Sequence, residues 1–151
     1  MADHDPIIWD NTLVTGIDII DEQHRILVNT LNDANAKLTT DVGAAFLEQI
    51  THDLLGYALY HFETEEELMH EYGYGQDHPG DADTHTRQHR EFSAKVVAAR
   101  ESLKKGQPIS RTELLAFLNG WLVNHILNTD KQLAAFLLAS AQYRQKHAHT
   151  D

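Results

Sequence analysis

The chain has 151 residues and not one cysteine. Disulfide staples, thiolate zinc sites and cysteine nucleophiles are thereby excluded, and nothing points to an oxidising compartment. Positive charge is also short: 12 Lys and Arg stand against 23 Asp and Glu, a formal charge of -11 with histidines neutral. Binding to a phosphate backbone requires clustered Lys and Arg, so no nucleic-acid partner is expected. No apolar run approaches the length of a bilayer span, so no membrane insertion is expected. The opening MADHDPIIWD carries neither the basic segment nor the long apolar core of a secretory signal, and a cytoplasmic location is expected. Strand signals are missing too: no stretch alternates with period two between hairpin turns, and no repeat of solenoid length occurs.

What the chain does have is helical periodicity. A chain of this size suits a single domain, 1–151, able to bury roughly two thirds of its unfolded surface. Apolar residues recur at helical spacing over about 18–38, with Ile19, Ile20, Ile26, Leu27 and Leu31 as the stripe and Asp18 as N-cap. A second helix is predicted over about 42–72, capped by Thr40 or Asp41 and ended by the glycines of YGYG. Residues 73–83, rich in Gly, Asp and Pro, read as an extended loop. A third helix is predicted over 84–105, stopped at KKGQP, and a fourth over 111–143, opened by the capping-box pattern Ser110-Arg111-Thr112-Glu113 and containing a break. Short connections between four helices predict an all-α, antiparallel up-down-up-down bundle. The arm 1–17, with Ile7, Ile8, Trp9, Leu13 and Val14, is expected to pack along it, and the C-terminal end is a polar tail.

The chain also has 11 histidines. Six of them have ordinary readings: His4, His147 and His149 in polar ends, His78 in the loop, and His52 and His70 on helices without a partner donor. Five remain. His85 and His89 in HTRQH project from one helix face, as do His61 and Glu65 in HFETEE, while His24 lies in IDEQH and His125 and Asp130 in WLVNHILNTD. Any one buried histidine is usually just hydrogen-bonded. A set of five imidazoles and two carboxylates distributed over every helix is better explained by metal ions, because burying so many polar groups otherwise costs stability.

The chemistry narrows from there. Imidazole suits zinc, copper, iron and nickel, bridging carboxylates favour a two-metal centre, and the lack of thiolates argues against copper(I) and iron-sulfur clusters. HTRQH has no glutamate after its first histidine, so a zinc-peptidase reading lacks its general base. Paired ExxH motifs of the carboxylate di-iron enzymes are absent, since Glu67-Leu68-Met69-His70 matches once only.

The blocks IDEQH, HFETEE, HTRQHREF and WLVNHILNTD resemble, in order, those of the bacterial members of the hemerythrin family, as does the lead-in from Trp9 to Asp21. The likeness spans residues 9 to 135. It implies two non-haem iron ions, Fe2+ or Fe3+, with an oxo or hydroxo bridge: His85, His89 and His125 on one, His24 and His61 on the other, Glu65 and Asp130 bridging. It further implies reversible O2 binding at the second iron, for storage, delivery or buffering, with no enzymatic turnover. Trp121, Leu122 and Ile126 match positions that line the family's O2 pocket, although ordinary core packing would place them equally well; Phe62, Met69 and Phe92 read as core. A monomer is expected, and a protein that accepts the O2 is unspecified. Two alternatives stand beside the carrier: an O2 or redox sensor acting through a partner, and a weak di-iron enzyme handling peroxide or nitric oxide.

One spacing makes a sharp structural demand. Five residues separate His125 from Asp130, and five residues turn an ideal helix by about 140°, so the two side chains would diverge. A wide turn or π-bulge at Leu127 to Thr129 is predicted. Around the donors, Glu66 and Glu67 read as a solvated face or as hydrogen-bond partners of ligands. Asp21 and Gln23 read either as helix-capping or exposed residues or as groups that orient an imidazole.

Overall fold

The structure, a computed structural model, describes residues 7–37, 44–107 and 109–146. A 3-10 turn, Asn11–Leu13, precedes α1 (Asp18–Lys37) and α2 (Ala44–Glu71). The short α3 (Tyr74–Asp77) leads into α4 (Pro79–Lys104), followed by α5 (Arg111–Asn124), a π-helical turn (His125–Asp130), α6 (Lys131–Ala139) and α7 (Ala141–Lys146). No strand occurs among the described residues. The predicted caps Thr40 and Asp41, the predicted start of the second helix at residue 42, and His4, His147 and His149 lie outside the described residues.

Helix ends follow local chemistry. Asp18, predicted as an N-cap, is instead the first helical residue, and Asp21 closes the helix start. The Asp21 carboxylate accepts the Thr15 N–H and hydroxyl, both at 2.8 Å, and the Gly16 N–H at 3.1 Å. Ser110 caps α5 as predicted, its hydroxyl accepting the Glu113 N–H at 3.1 Å. The loop predicted over 73–83 is largely helical, and α4 starts at Pro79 rather than at residue 84. The physical reason is that the residues read as loop formers also open helices: Pro79 takes the first position, where its missing N–H is no loss, and Asp81 complements the helix dipole. Gly73, with φ +76°, supplies the break after α2, and His78, with φ -135° and ψ 66°, the break before α4.

Two apolar clusters lie along the bundle. One contains Leu27, Leu31, Leu54, Phe62, Phe92 and Leu118; the other contains Ile17, Ile20, Met69, Tyr72, Leu133 and Leu137. α1 runs from the second cluster to the first, α2 returns, α4 carries the chain from Ala82 back to Phe92, and α5 through α6 returns again. That alternation is the antiparallel up-down-up-down arrangement, with α1 against α2 and α5, and α4 against α2 and α5. Where each path crosses between clusters it carries polar residues: His24, Glu65, His85 with His89, and His125 with Asp130. The fold thus places a polar layer between two greasy ones.

Some apolar residues are not where the pattern put them. Ile19 and Ile26 are exposed, because the buried stripe of α1 runs through Ile20, Gln23 with His24, Leu27 with Val28, Leu31 and Ala34, successive turns three or four apart, and the two isoleucines fall off that face. In the arm, Ile7 and Trp9 pack on the first cluster and Leu13 is buried, whereas Ile8 and Val14 face outward. Asn32 fastens the arm, accepting the Ile7 N–H at 2.7 Å and donating to the Ile7 carbonyl at 2.8 Å.

Candidate metal centre

All seven sequence-predicted donors meet in the polar layer, each at most 3 % exposed. Their ligating atoms form two groups, each with all its atoms within 4.8 Å of one another: Glu65, His85, His89, His125 and Asp130 in the first, His24, His61, Glu65 and Asp130 in the second. Both carboxylates belong to both groups. Helical spacing explains the pairs on α2 and α4, since i and i+4 share a face. For His125 and Asp130 the explanation is the π-helical turn that begins at one and ends at the other, as the spacing of five predicts. Asp130 is fully buried and its Oδ1 lies 2.9 Å from His125 Nε2.

Inward-facing atoms crowd together. His24 Nε2 is 2.7 Å from Asp130 Oδ2, His61 Nε2 3.2 Å and His89 Nε2 3.1 Å from Glu65 Oε1, and His85 Nε2 3.2 Å from Asp130 Oδ1. Yet several of these atoms lack a well-directed hydrogen bond: the Nε2 atoms of His24, His61 and His125, Glu65 Oε2 and both Asp130 oxygens are buried, close to one another and poorly aligned for bonding. Leaving so many buried polar atoms unsatisfied is costly. Imidazole nitrogens and carboxylate oxygens that converge on shared points are what a cation needs, and this donor set fits a non-haem metal site.

Electrostatics of the metal-free protein agree. Burial works to raise the Glu65 carboxyl, but the facing imidazoles of His61 and His85 hold it well below the usual carboxylate range. Asp130 is likewise lowered: burial and the Glu65 charge oppose ionisation, and His125 and His24 outweigh them. His85 moves the other way, burial disfavouring its charge while Glu65 and Asp130 push it up to about 10. His125 is raised against its burial by Asp130 and Glu65. Without metal, protons on the imidazoles balance the two carboxylates.

The outer faces of the imidazoles are held by residues of neighbouring helices. His61 Nδ1 donates to Gln23 Oε1 at 2.7 Å, and His125 Nδ1 to Gln88 Oε1 at 2.7 Å, which aims each Nε2 inward, where it would offer its lone pair to a metal. Thr64 receives a hydrogen bond from the Gln23 amide at 3.1 Å, and Thr129 donates to Gln88 at 2.7 Å. His89 Nδ1 lies 2.8 Å from Glu66 Oε2. Of the two roles open to Asp21 and Gln23, Gln23 thus orients an imidazole and Asp21 caps. The role of Gln88 has no counterpart in the sequence reading, although a signal was present: the dipeptide Gln-His occurs at 23–24 and again at 88–89, each glutamine reaching the imidazole of the next helix.

Aromatic rings cover the first group. Phe62 lies parallel to His89 at 4.0 Å, and Trp121 parallel to His125 at 4.4 Å. Leu122 and Ile126 are buried in the cluster next to the site. Phe62 and Phe92 belong to that cluster, and Met69 to the other. His52, His70 and His78 stay outside the polar layer, on exposed positions. No helix among the described residues is long and apolar enough to cross a membrane.

Residues 15–137 match the family model described as the hemerythrin HHE cation binding domain. The chain is 35% identical over 142 residues to a bacteriohemerythrin of Stenotrophomonas maltophilia, covering 93% of this chain and 88% of that one. With a bacteriohemerythrin of Pseudomonas aeruginosa it shares 34% identity over 124 residues, 82% of this chain and 76% of the relative. A crystal structure of wild-type hemerythrin superposes with a TM-score of 0.76 over 85% of this chain and 95% of that chain; at 22% identity this likeness concerns the fold.

Proposed function

This chain belongs to the hemerythrin family, and from that premise we propose that it binds O2 reversibly at a non-haem di-iron centre, holding the gas for storage, delivery or buffering without turnover. The observation that carries the reading is the pair of donor groups sharing Glu65 and Asp130. His85, His89 and His125 would hold one iron, His24 and His61 the other, and the two carboxylates would bridge them. When bound, the irons supply the electrons that make O2 binding both strong and reversible.

The residues divide the labour. One group offers three imidazoles and two carboxylates, the other two imidazoles and the same two carboxylates, so a metal held by the second would have fewer protein donors and would offer the place for O2. Trp121, Leu122 and Ile126 keep water from the centre; Leu122 and Ile126 are buried, and Trp121 covers His125. Dryness matters because water would promote loss of the gas in reduced form, which would leave the irons oxidised and unable to bind O2 again. No acid outside the bridges lies among the inward-facing donors, which favours holding O2 over breaking it.

The test is an iron count on the purified chain together with visible spectra of the reduced protein. Two irons per chain and a charge-transfer band that appears with O2 and vanishes under argon are the expected results. His89→Ala should lower the iron content and remove the band. Catalytic turnover without a reversible band, or a His89→Ala protein that keeps both iron and band, would defeat the proposal.

A further inference from the structure

Three imidazoles of the centre have an outer hydrogen-bond partner, and the three partners are not alike. His61 and His125 each donate to a neutral glutamine amide, Gln23 and Gln88. His89 faces the carboxylate of Glu66 at 2.8 Å. The outer nitrogens of His24 and His85 have no partner. The one full charge in this outer layer therefore rests on the three-imidazole group alone.

We infer that Glu66 is a positioning residue that lowers the reduction potential of the metal held by His85, His89 and His125. The inference rests on the di-iron reading above and deepens it. A carboxylate accepting an imidazole N–H draws the proton outward and makes the opposite nitrogen a stronger donor, and its charge adds to the field at the metal. Both effects favour the higher oxidation state. An amide in the same place keeps the hydrogen bond and supplies neither.

Geometry makes the coupling firm. Phe62 lies flat on the His89 ring, 4.0 Å away and 11° from parallel, so the imidazole cannot turn away from its two acids, with Nε2 3.1 Å from Glu65 and Nδ1 2.8 Å from Glu66. His89 is buried, while the Glu66 side chain is 43% exposed in a groove between α2 and α4. Glu66 is thus the point at which a ligand's hydrogen-bond chain reaches the surface. Glu67 shares the groove but touches no ligand, which provides an internal control.

The experiment is a redox titration of the iron-loaded wild type, Glu66→Gln and Glu67→Gln, followed by the absorption of the oxidised centre, with an iron count for each protein. Glu66→Gln should keep both irons and shift the oxidised-to-reduced ratio at fixed potential about tenfold toward the reduced form, about 59 mV for one electron. Glu67→Gln, a charge lost at an exposed site, should shift it less than about twofold. A fully loaded Glu66→Gln protein that titrates with the wild type would overturn the inference and leave the di-iron reading intact. An equal shift in Glu67→Gln would overturn it too, by assigning the effect to the groove's field. So would loss of iron from Glu66→Gln, because the amide preserves the contact. A wild type that takes up no iron would overturn both readings together.

Discussion

Gln88 and Thr129 meet across the bundle: the Thr129 hydroxyl donates to Gln88 Oε1 at 2.7 Å, and the same oxygen accepts the His125 Nδ1 proton at 2.7 Å. One glutamine on α4 thereby holds two residues of the π-helical turn, and it sits between the two histidines that α4 itself contributes. The turn's unusual geometry is fixed from the helix whose donors it must meet. Gln23 does the same service for His61 from α1, with Thr64 as its anchor.

Replacing Gln88 with Leu should therefore act on one donor group only. His125 loses the acceptor that sets its tautomer and ring angle, and Thr129 is left without its partner. The expected result is a loss of about 10- to 100-fold in affinity for the iron held by His125. Metal-free stability should fall by about 1–3 kcal/mol, the cost of a buried donor left unsatisfied. Iron titration followed by urea denaturation under chelator measures both.

Asp130→Asn should act on both groups. Its oxygens lie 2.7 Å from His24 Nε2, 3.2 Å from His85 Nε2 and 2.9 Å from His125 Nε2, so no metal in this layer is independent of it. Both irons should bind more weakly, in contrast to the one-sided effect at Gln88. The metal-free chain should lose about 3–5 kcal/mol, since raised imidazoles are left with one buried counter-charge instead of two. Retention of both irons at wild-type affinity would remove Asp130 from the bridging position.

Why some of this was readable from the sequence and some was not is a matter of range. The donors on α2 and α4 follow from the i, i+4 rule, and the π-helical turn follows from the 140° that five residues would subtend, both local properties of a helix. The contact between Gln88 and His125 spans 37 residues, and that between Gln23 and His61 spans 38. Such pairs depend on how far one helix slides along another, which no single segment encodes. Residues 73–83 failed for a third reason: Pro79 and Asp81 serve loops and helix starts equally, and only the packing of Tyr74 into the second cluster decides between them.

Gly16 supports the site from a distance. It has φ +94°, and a Cβ there would meet Leu138 Cδ1 at 3.1 Å. Its N–H also donates to Asp21 at the start of the helix that carries His24. Gly16→Ala should cost about 1–3 kcal/mol by forcing a side chain into a left-handed conformation. Thermal unfolding should record that loss while the iron count stays at the wild-type value, because no donor is moved. A normal melting temperature would mean the turn relaxes at no cost.

Proton release should accompany metal binding, and its sign follows from the imidazoles. In the metal-free chain His85 is raised from 6.5 to about 10, so it is an imidazolium at neutral pH. A metal accepts only the neutral ring, so binding must expel that proton, and apparent iron affinity should rise with pH across the neutral range. The stability of the metal-free chain should run the opposite way. Below 6.5 folded and unfolded chains both hold the proton, and the attraction to Glu65 and Asp130 is fully present. Between 6.5 and about 10 the unfolded chain has released the proton that the folded one retains, so stability falls as pH rises through that window. Thermal melts under chelator at pH 6, 8 and 9.5 should therefore show a falling midpoint, while iron-loaded protein shows no such fall. In weakly buffered solution, adding ferrous iron at pH 7 should acidify the medium. Absence of acidification, or a metal-free midpoint that climbs with pH, would mean that His85 is neutral in the folded chain and that the two carboxylates are balanced by some other group.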